Sequence, residues 1–420
     1  MRALAIGAIA AAGLLTATPA MAADRYASPD GTGPEATCPQ SNPCNVDDAA
    51  DGPSVADGDV VLLAPGTYTL TSRLDVTSDI VIRPQNPAGP KPVLTSAAPP
   101  DVVDVRTPGA LLSDLVIRGT GDAAGLWLTG STVERVVATS DGEGACHVTA
   151  EAVLRDSTCL DTGGAPGAML DHFDSDATSA TIVNVTAVST GVGMQPYGIY
   201  VAANGGAGST AQLTAHNVIA FGADGADVHA VRDAGATAAT VTLSSSNYDN
   251  VVAMGGAVVT PTGSPGNQVA PPSFVNLPAG DLHQAPGSAT IDAGTSTALP
   301  FGDLDIDRQP RVQGLAPDIG ADEAPDVSAP DTSLTRTPKK KVKSKKKRKK
   351  ARFAFGSSEP GSTFSCSLDG GAAEPCDAGT FIKKVKRGRH AFEVAATDSS
   401  GNTDPTPASY TWKLKRKRKR

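Results

Sequence analysis

The chain has 420 residues with 44 Gly, 32 Pro and only 4% aromatic residues, so its core is filled by Ala, Val, Leu and Ile rather than by large rings. Gly and Pro are the poorest helix formers, which disfavours a helical bundle and suits a chain that turns often and stacks thin layers. The formal charge of −8 divides into −24 over residues 1–330 (12 Lys+Arg, 36 Asp+Glu) and +16 over residues 331–420 (24 Lys+Arg, 8 Asp+Glu), which predicts an acidic body and a basic second module with separate partners.

Residues 1–22 read as a signal peptide. Arg2 precedes an apolar run from Ala3 to about Leu15, and Ala20-Met21-Ala22 forms an A-x-A cleavage pattern. The run is short for a bilayer span and no later stretch is long enough, so no transmembrane segment is expected. Cys38 and Cys44 flank a short loop, as do Cys366 and Cys376, and both pairs read as local disulfides of an exported protein.

A polar residue followed by an apolar–x–apolar step recurs from residue 100 to 250. It begins at Asp114, Arg135, Asp156, Asn184 and Asn217, with a degenerate copy at Asn247; the starts are 21, 21, 28, 33 and 30 residues apart. One short strand per repeat of this length means a solenoid. Scarce Leu excludes leucine-rich repeats, and the period-2 steps exclude helical repeats, leaving a parallel β-helix. Its inward columns would be Leu115, Val136, Val185 and Val218, then Ile117, Ala138, Cys159, Ala187 and Ala220, then Leu126 and Cys146. Cys146 and Cys159 thus lie in inward phase of one coil, either as small buried residues or as a disulfide across the core. Asn184 and Asn217 are expected to stack at a coil corner.

GDVVLLAPGTY (58–68) resembles the opening coil of exported right-handed β-helix proteins of the pectate-lyase-like superfamily. APGSATIDAG (285–294) and DLDIDRQPRVQGLAPDIGADE (303–323) resemble the closing segment of the same group, with Arg308 where the usual pattern has Gly. The resemblance covers roughly residues 25–325. FGSSEPGSTFSCSLDGG and RGRHAFEVAATDSSGNTDPTPASYTW resemble a bacterial immunoglobulin-like module. The expected fold is therefore all-β: a signal peptide (1–22), a right-handed parallel β-helix solenoid (23–325), a linker and basic run (326–350), and a small immunoglobulin-like β-sandwich with a basic tail (351–420).

One fold hosts lyases, hydrolases and binders, so activity must be read from sites. Asp171-His172 faintly resembles a lyase strand motif, but no suitably placed Arg follows and Arg232 is the nearest downstream. Asp171, Asp174 and Asp176 read as a polar loop or a calcium site, and His216 and His229 as surface or corner residues. Asp303, Asp305 and Asp307 alternate, so on a strand they would share one face, suited to Ca²⁺ or to pairing with Arg308 and Arg311. No other cofactor is expected. KKKVKSKKKRKK (339–350) and KLKRKRKR (413–420) suit either a solvated surface or attachment to an anionic polymer, without the aromatic platform of sequence-specific nucleic-acid readers. The expected protein is a secreted or cell-surface monomer, non-catalytic, binding polysaccharide or an anionic cell-envelope polymer. The alternative is a polysaccharide lyase or glycoside hydrolase.

Overall fold

Period-2 alternation of small apolar and polar residues drives residues 24–259 into short strands whose pairings are all parallel. A computed structural model describes residues 22–417, apart from 98–99, 174–175, 224, 262, 264–265, 297–301 and 377–378 and the side chain of His172. The expected signal peptide, except Ala22, lies outside the described residues. No described helix is long and apolar enough to cross a membrane.

Each coil of the solenoid passes through three strand stacks, here called faces C, A and B. In one coil Ala124–Thr129 lies on face C, Thr132–Glu134 on face A and Val137–Ser140 on face B. The next coil returns in register, pairing Leu126 with Cys146, Val133 with Leu154 and Ala138 with Cys159. The expected columns are all buried, and parallel stacking extends the second through Leu94 to Tyr68. Ser157 interrupts the first column, where its hydroxyl donates to Arg155 O and accepts Val136 N–H. Cys146 and Cys159 are bridged across the core, with Cα atoms 5.7 Å apart, and Cys38–Cys44 and Cys366–Cys376 are bridged as expected.

From the third coil onward the chain turns from face A to face B on a single left-handed residue, whereas the first two coils use longer connections, residues 64–66 and 85–92. Asp114, Arg135, Asp156, Asn184, Asn217 and Ser245 have φ between 48° and 64°. The last corner is thus Ser245 rather than Asn247, which bridges Ile219 one step later. Left-handed backbone is costly for non-Gly residues, and short polar side chains tolerate it best. Stacking compensates: Asn217 Nδ2 donates to Asn184 Oδ1 at 3.0 Å, and Asn184 Nδ2 donates to Asp156 Oδ1 at 2.8 Å.

The closing segment, residues 281–324, packs back along this corner. Asn217 accepts Thr295 N–H and donates to Thr295 O, Gly320 N–H reaches Asn217 O, and Ala321 N–H reaches Thr186 Oγ1. Arg308 itself takes the left-handed turn (φ 65°) and reaches Asp114 at 2.7 Å. Outward Leu160, Val188 and Phe221 of face B are covered by Phe274, Leu277 and Leu282. The exterior of face B is therefore occupied by the chain itself.

Residues 332–416 form a separate two-sheet sandwich with its own core around Phe353, Phe355, Phe392 and Trp412. A three-stranded sheet holds Thr332–Arg336, Arg348–Ser357 and Thr380–Lys386, and five strands form the other sheet. The stretch expected as linker contributes two of these strands, Thr332–Arg336 and Lys341–Ser344. Lysines conceal the pattern there, because Lys350 and Arg352 point outward while Ala351 and Phe353 are buried.

Asn217→Ala removes a buried amide that links two coils and the closing segment. A cost of about 1–3 kcal/mol is expected from the orphaned partners, before any left-handed strain. Denaturant unfolding of the full chain checks it; a change below about 0.5 kcal/mol, typical of surface substitutions, contradicts it.

Candidate functional site

Among the described residues, face C has no such cover. Its outward row places Asp75, Asp104, Trp127, His147, Met169, Tyr200, His229 and Val252 at one register on successive strands. Each of the central five stands one position past an inward residue: Leu126, Cys146, Ala168, Ile199 and Val228. Trp127 and His147 have ring centroids 3.5 Å apart; Tyr197 lies 4.3 Å from His229 and 5.8 Å from Tyr200. Neither ring nitrogen of His229 has a hydrogen-bond partner among the described residues, and burial pushes its pKa down.

Asp171 lies beside this row, where its carboxylate meets His147 Nε2. Burial, then the Asp171 charge, raises the Tyr200 phenol above its ordinary pKa. The partner of Asp171 is therefore His147, which sequence reasoning missed; the side chain of His172 and all of Asp174 lie outside the described residues. His229 belongs to the aromatic row. His216 is a buried corner residue, with Nδ1 2.9 Å from Ser244 Oγ and Nε2 3.0 Å from Thr295 O. Arg232 is on face C but its guanidinium is held by the Gly255 and Ala236 carbonyls. Toward the N-terminal end, Arg73 sits 2.9 Å from Asp75, 3.4 Å from Asp101 and 3.2 Å from Asp104, and Arg106 pairs with Asp75 and Asp104. The acidic groups there already carry their counter-charges.

Asp303, Asp305 and Asp307 do not converge, because the chain makes turns rather than a strand at this point. Asp303 is exposed. Asp305 is fully buried and accepts the N–H groups of Asp307, Gln309 and Glu323. Asp307 instead joins His283, which is 2.8 Å away and also bonded to Asp281. The Asp307 and Asp281 hydrogen bonds push His283 up to about 10, outweighing its burial. Asp322 completes a metal-sized group with His283 and Asp307, yet the imidazolium already supplies its cation. Arg311 and Arg308 do not pair with the alternating acids. Arg311 is buried against the Asp318 and Ala321 carbonyls, and Arg308 reaches the corner acid Asp114.

In the sandwich, a pocket of about 540 Å³ opens beside Arg336, Lys341, Lys343, Lys350 and Arg352. Its apolar lining is Val342, Val385, Trp412 and Leu414. Strand Lys341–Ser344 pairs parallel with the last strand, opposing Lys341 to Lys413 and Lys343 to Lys415, so both basic runs meet on one edge. Residues 418–420 of the tail lie outside the described residues.

The chain matches no protein-family model, and a search of the curated proteins finds no relative.

Burial raises Asp305 and Asp318 to about 6 and Glu323 to about 8. The folded chain holds protons there that the unfolded chain has released. Their stabilisation is therefore full below about pH 4 and is lost as pH rises through about 6 to 8. The melting temperature should fall between about pH 4 and 8, and Glu323→Gln should flatten the upper part of that fall, from about pH 6 to 8. An unchanged profile in the variant contradicts the assignment.

Proposed function

We propose that the protein is an exported, non-catalytic glycan binder. Its solenoid offers face C to a polysaccharide, and its basic sandwich attaches to an anionic polymer of the cell envelope. The observation that carries the reading is the outward row of face C, where Trp127, Tyr197 and Tyr200 are partly exposed and pack on the buried His147 and His229. Flat rings on a rigid sheet present apolar area and polar edges at low entropic cost, which suits pyranose rings. Three disulfides and the A-x-A leader pattern support export.

The all-parallel ladders and one-residue corners support assignment to the right-handed β-helices of the pectate-lyase-like superfamily. The sandwich's sheets of three and five strands, with Lys341–Ser344 parallel to Ala408–Arg416, support an immunoglobulin-like module. The clustered lysines support polyanion binding through counterion release.

Cleavage of an acidic polysaccharide is the second reading, favoured by the His147–Asp171 pair: a carboxylate and an imidazole in contact can move a proton. Against it, Arg73 and Arg106 are paired and Arg232 is held by carbonyls, so no free arginine accompanies Asp171 among the described residues.

Binding of the full chain to a panel of neutral and acidic polysaccharides tests both. Trp127→Ala should weaken solenoid-dependent binding about tenfold, corresponding to about 1.4 kcal/mol. Binding through the sandwich should fall steeply with salt. Equal affinity of wild type and Trp127→Ala for every glycan removes the first reading. Unsaturated or reducing-end products that disappear in Asp171→Ala replace it with the second.

A further inference from the structure

The connection between solenoid and sandwich carries a second carboxylate cluster that neither module's function uses. Asp326 lies just beyond the closing segment. Glu359 follows the strand Arg348–Ser357, and Asp398 follows the strand Gly388–Thr397. One oxygen from each lies within 4.8 Å of the others. The loop that carries Asp398 also touches the solenoid side of the connection. Ser400 Oγ donates to Gln313 O at 3.0 Å, and Asn402 Nδ2 donates to Asp326 O at 2.9 Å.

Three like charges this close require compensation, yet no basic side chain pairs with any of them among the described residues. Asp292 adds a fourth negative charge within electrostatic reach of Glu359. The His283 cluster differs, because its own imidazolium sits between the carboxylates. Independently, Asp398 is only 7% exposed, and while its Oδ1 accepts Asn402 N–H at 2.8 Å, its Oδ2 is buried with no hydrogen-bond partner among the described residues. A buried carboxylate oxygen left without donor or cation is costly.

We propose that Asp326, Glu359 and Asp398 form a calcium site that ties the segment leaving the solenoid to two loops of the sandwich. The donor set is all oxygen, without His or Cys, which selects a hard cation over zinc or copper. The ligands come from three separated segments, which suits the flexible, high-coordination shell of Ca²⁺ better than the strict octahedron of Mg²⁺. Carboxylates from both sides of the connection make the metal a clasp: bound, it fixes the sandwich's orientation; removed, the acids repel and the connection loosens.

The test uses the full chain stripped with EDTA and titrated with Ca²⁺ alone by calorimetry, with small-angle scattering in parallel. The expected result is a site filled at up to about 1 mM Ca²⁺, the range of extracellular modules, with a narrower distribution of overall dimensions on binding. Glu359→Gln and Asp398→Asn should each abolish that site, whereas Asp303→Asn should leave it intact. Glu359 is half-exposed, so its variant reports even if the buried Asp398→Asn fails to fold. No Ca²⁺ binding by the wild type, or binding that survives Glu359→Gln, overturns the proposal. So does a site that Asp303→Asn removes.

Discussion

From Asp114 to Ser245 six successive coils turn from face A to face B on one left-handed residue, and much of the solenoid follows from that constraint. Gly would meet it without strain but could not stack. Asn184 and Asn217 meet it and hydrogen-bond to the coil before, so the strained corner also fixes the register. The closing segment then reads the same ladder, through Thr295 to Asn217 and Arg308 to Asp114. Once seated there it masks the exterior of face B with Leu282, Phe274 and Leu277. Face C keeps its aromatic row uncovered because the chain spends its closing segment elsewhere.

The unusual composition follows from the same geometry. Narrow stacked coils admit Ala, Val, Leu, Ile and two disulfides into the core, and rings are excluded from most of it. Trp127, Tyr197 and Tyr200 accordingly stand on the outside of the coils, partly exposed. The sandwich is the opposite case: two sheets facing each other enclose Phe353, Phe355, Phe392 and Trp412. Charge divides along the same boundary, with the solenoid net acidic and the lysines concentrated on the sandwich.

Much of the fold was legible because parallel stacking sets like residues at like positions. Leu115 and Val136, or Ala187 and Ala220, can be aligned by eye, and Asn184 and Asn217 announce their corner. Phase alone placed Cys146 and Cys159 inward but could not say whether they touch. The face C row was harder to read. Trp127, His147, Met169 and Tyr200 share no chemistry, only a position one past an inward residue, so the signal was the register of Leu126 and Cys146 rather than a motif. Alternation misled at Asp303–Asp307, where turns replace the strand that would align the carboxylates. Asp326, Glu359 and Asp398 meet only through tertiary structure, and no local pattern links them.

The closing segment covers face B and leaves face C open. Hydroxyl-radical footprinting of the full chain tests it most directly. Trp127, Met169, Tyr197 and Tyr200 should oxidise rapidly, with Leu160, Val188 and Leu282 protected. Labelling of Leu160 and Val188 together with protection of Trp127 and Tyr200 would contradict it.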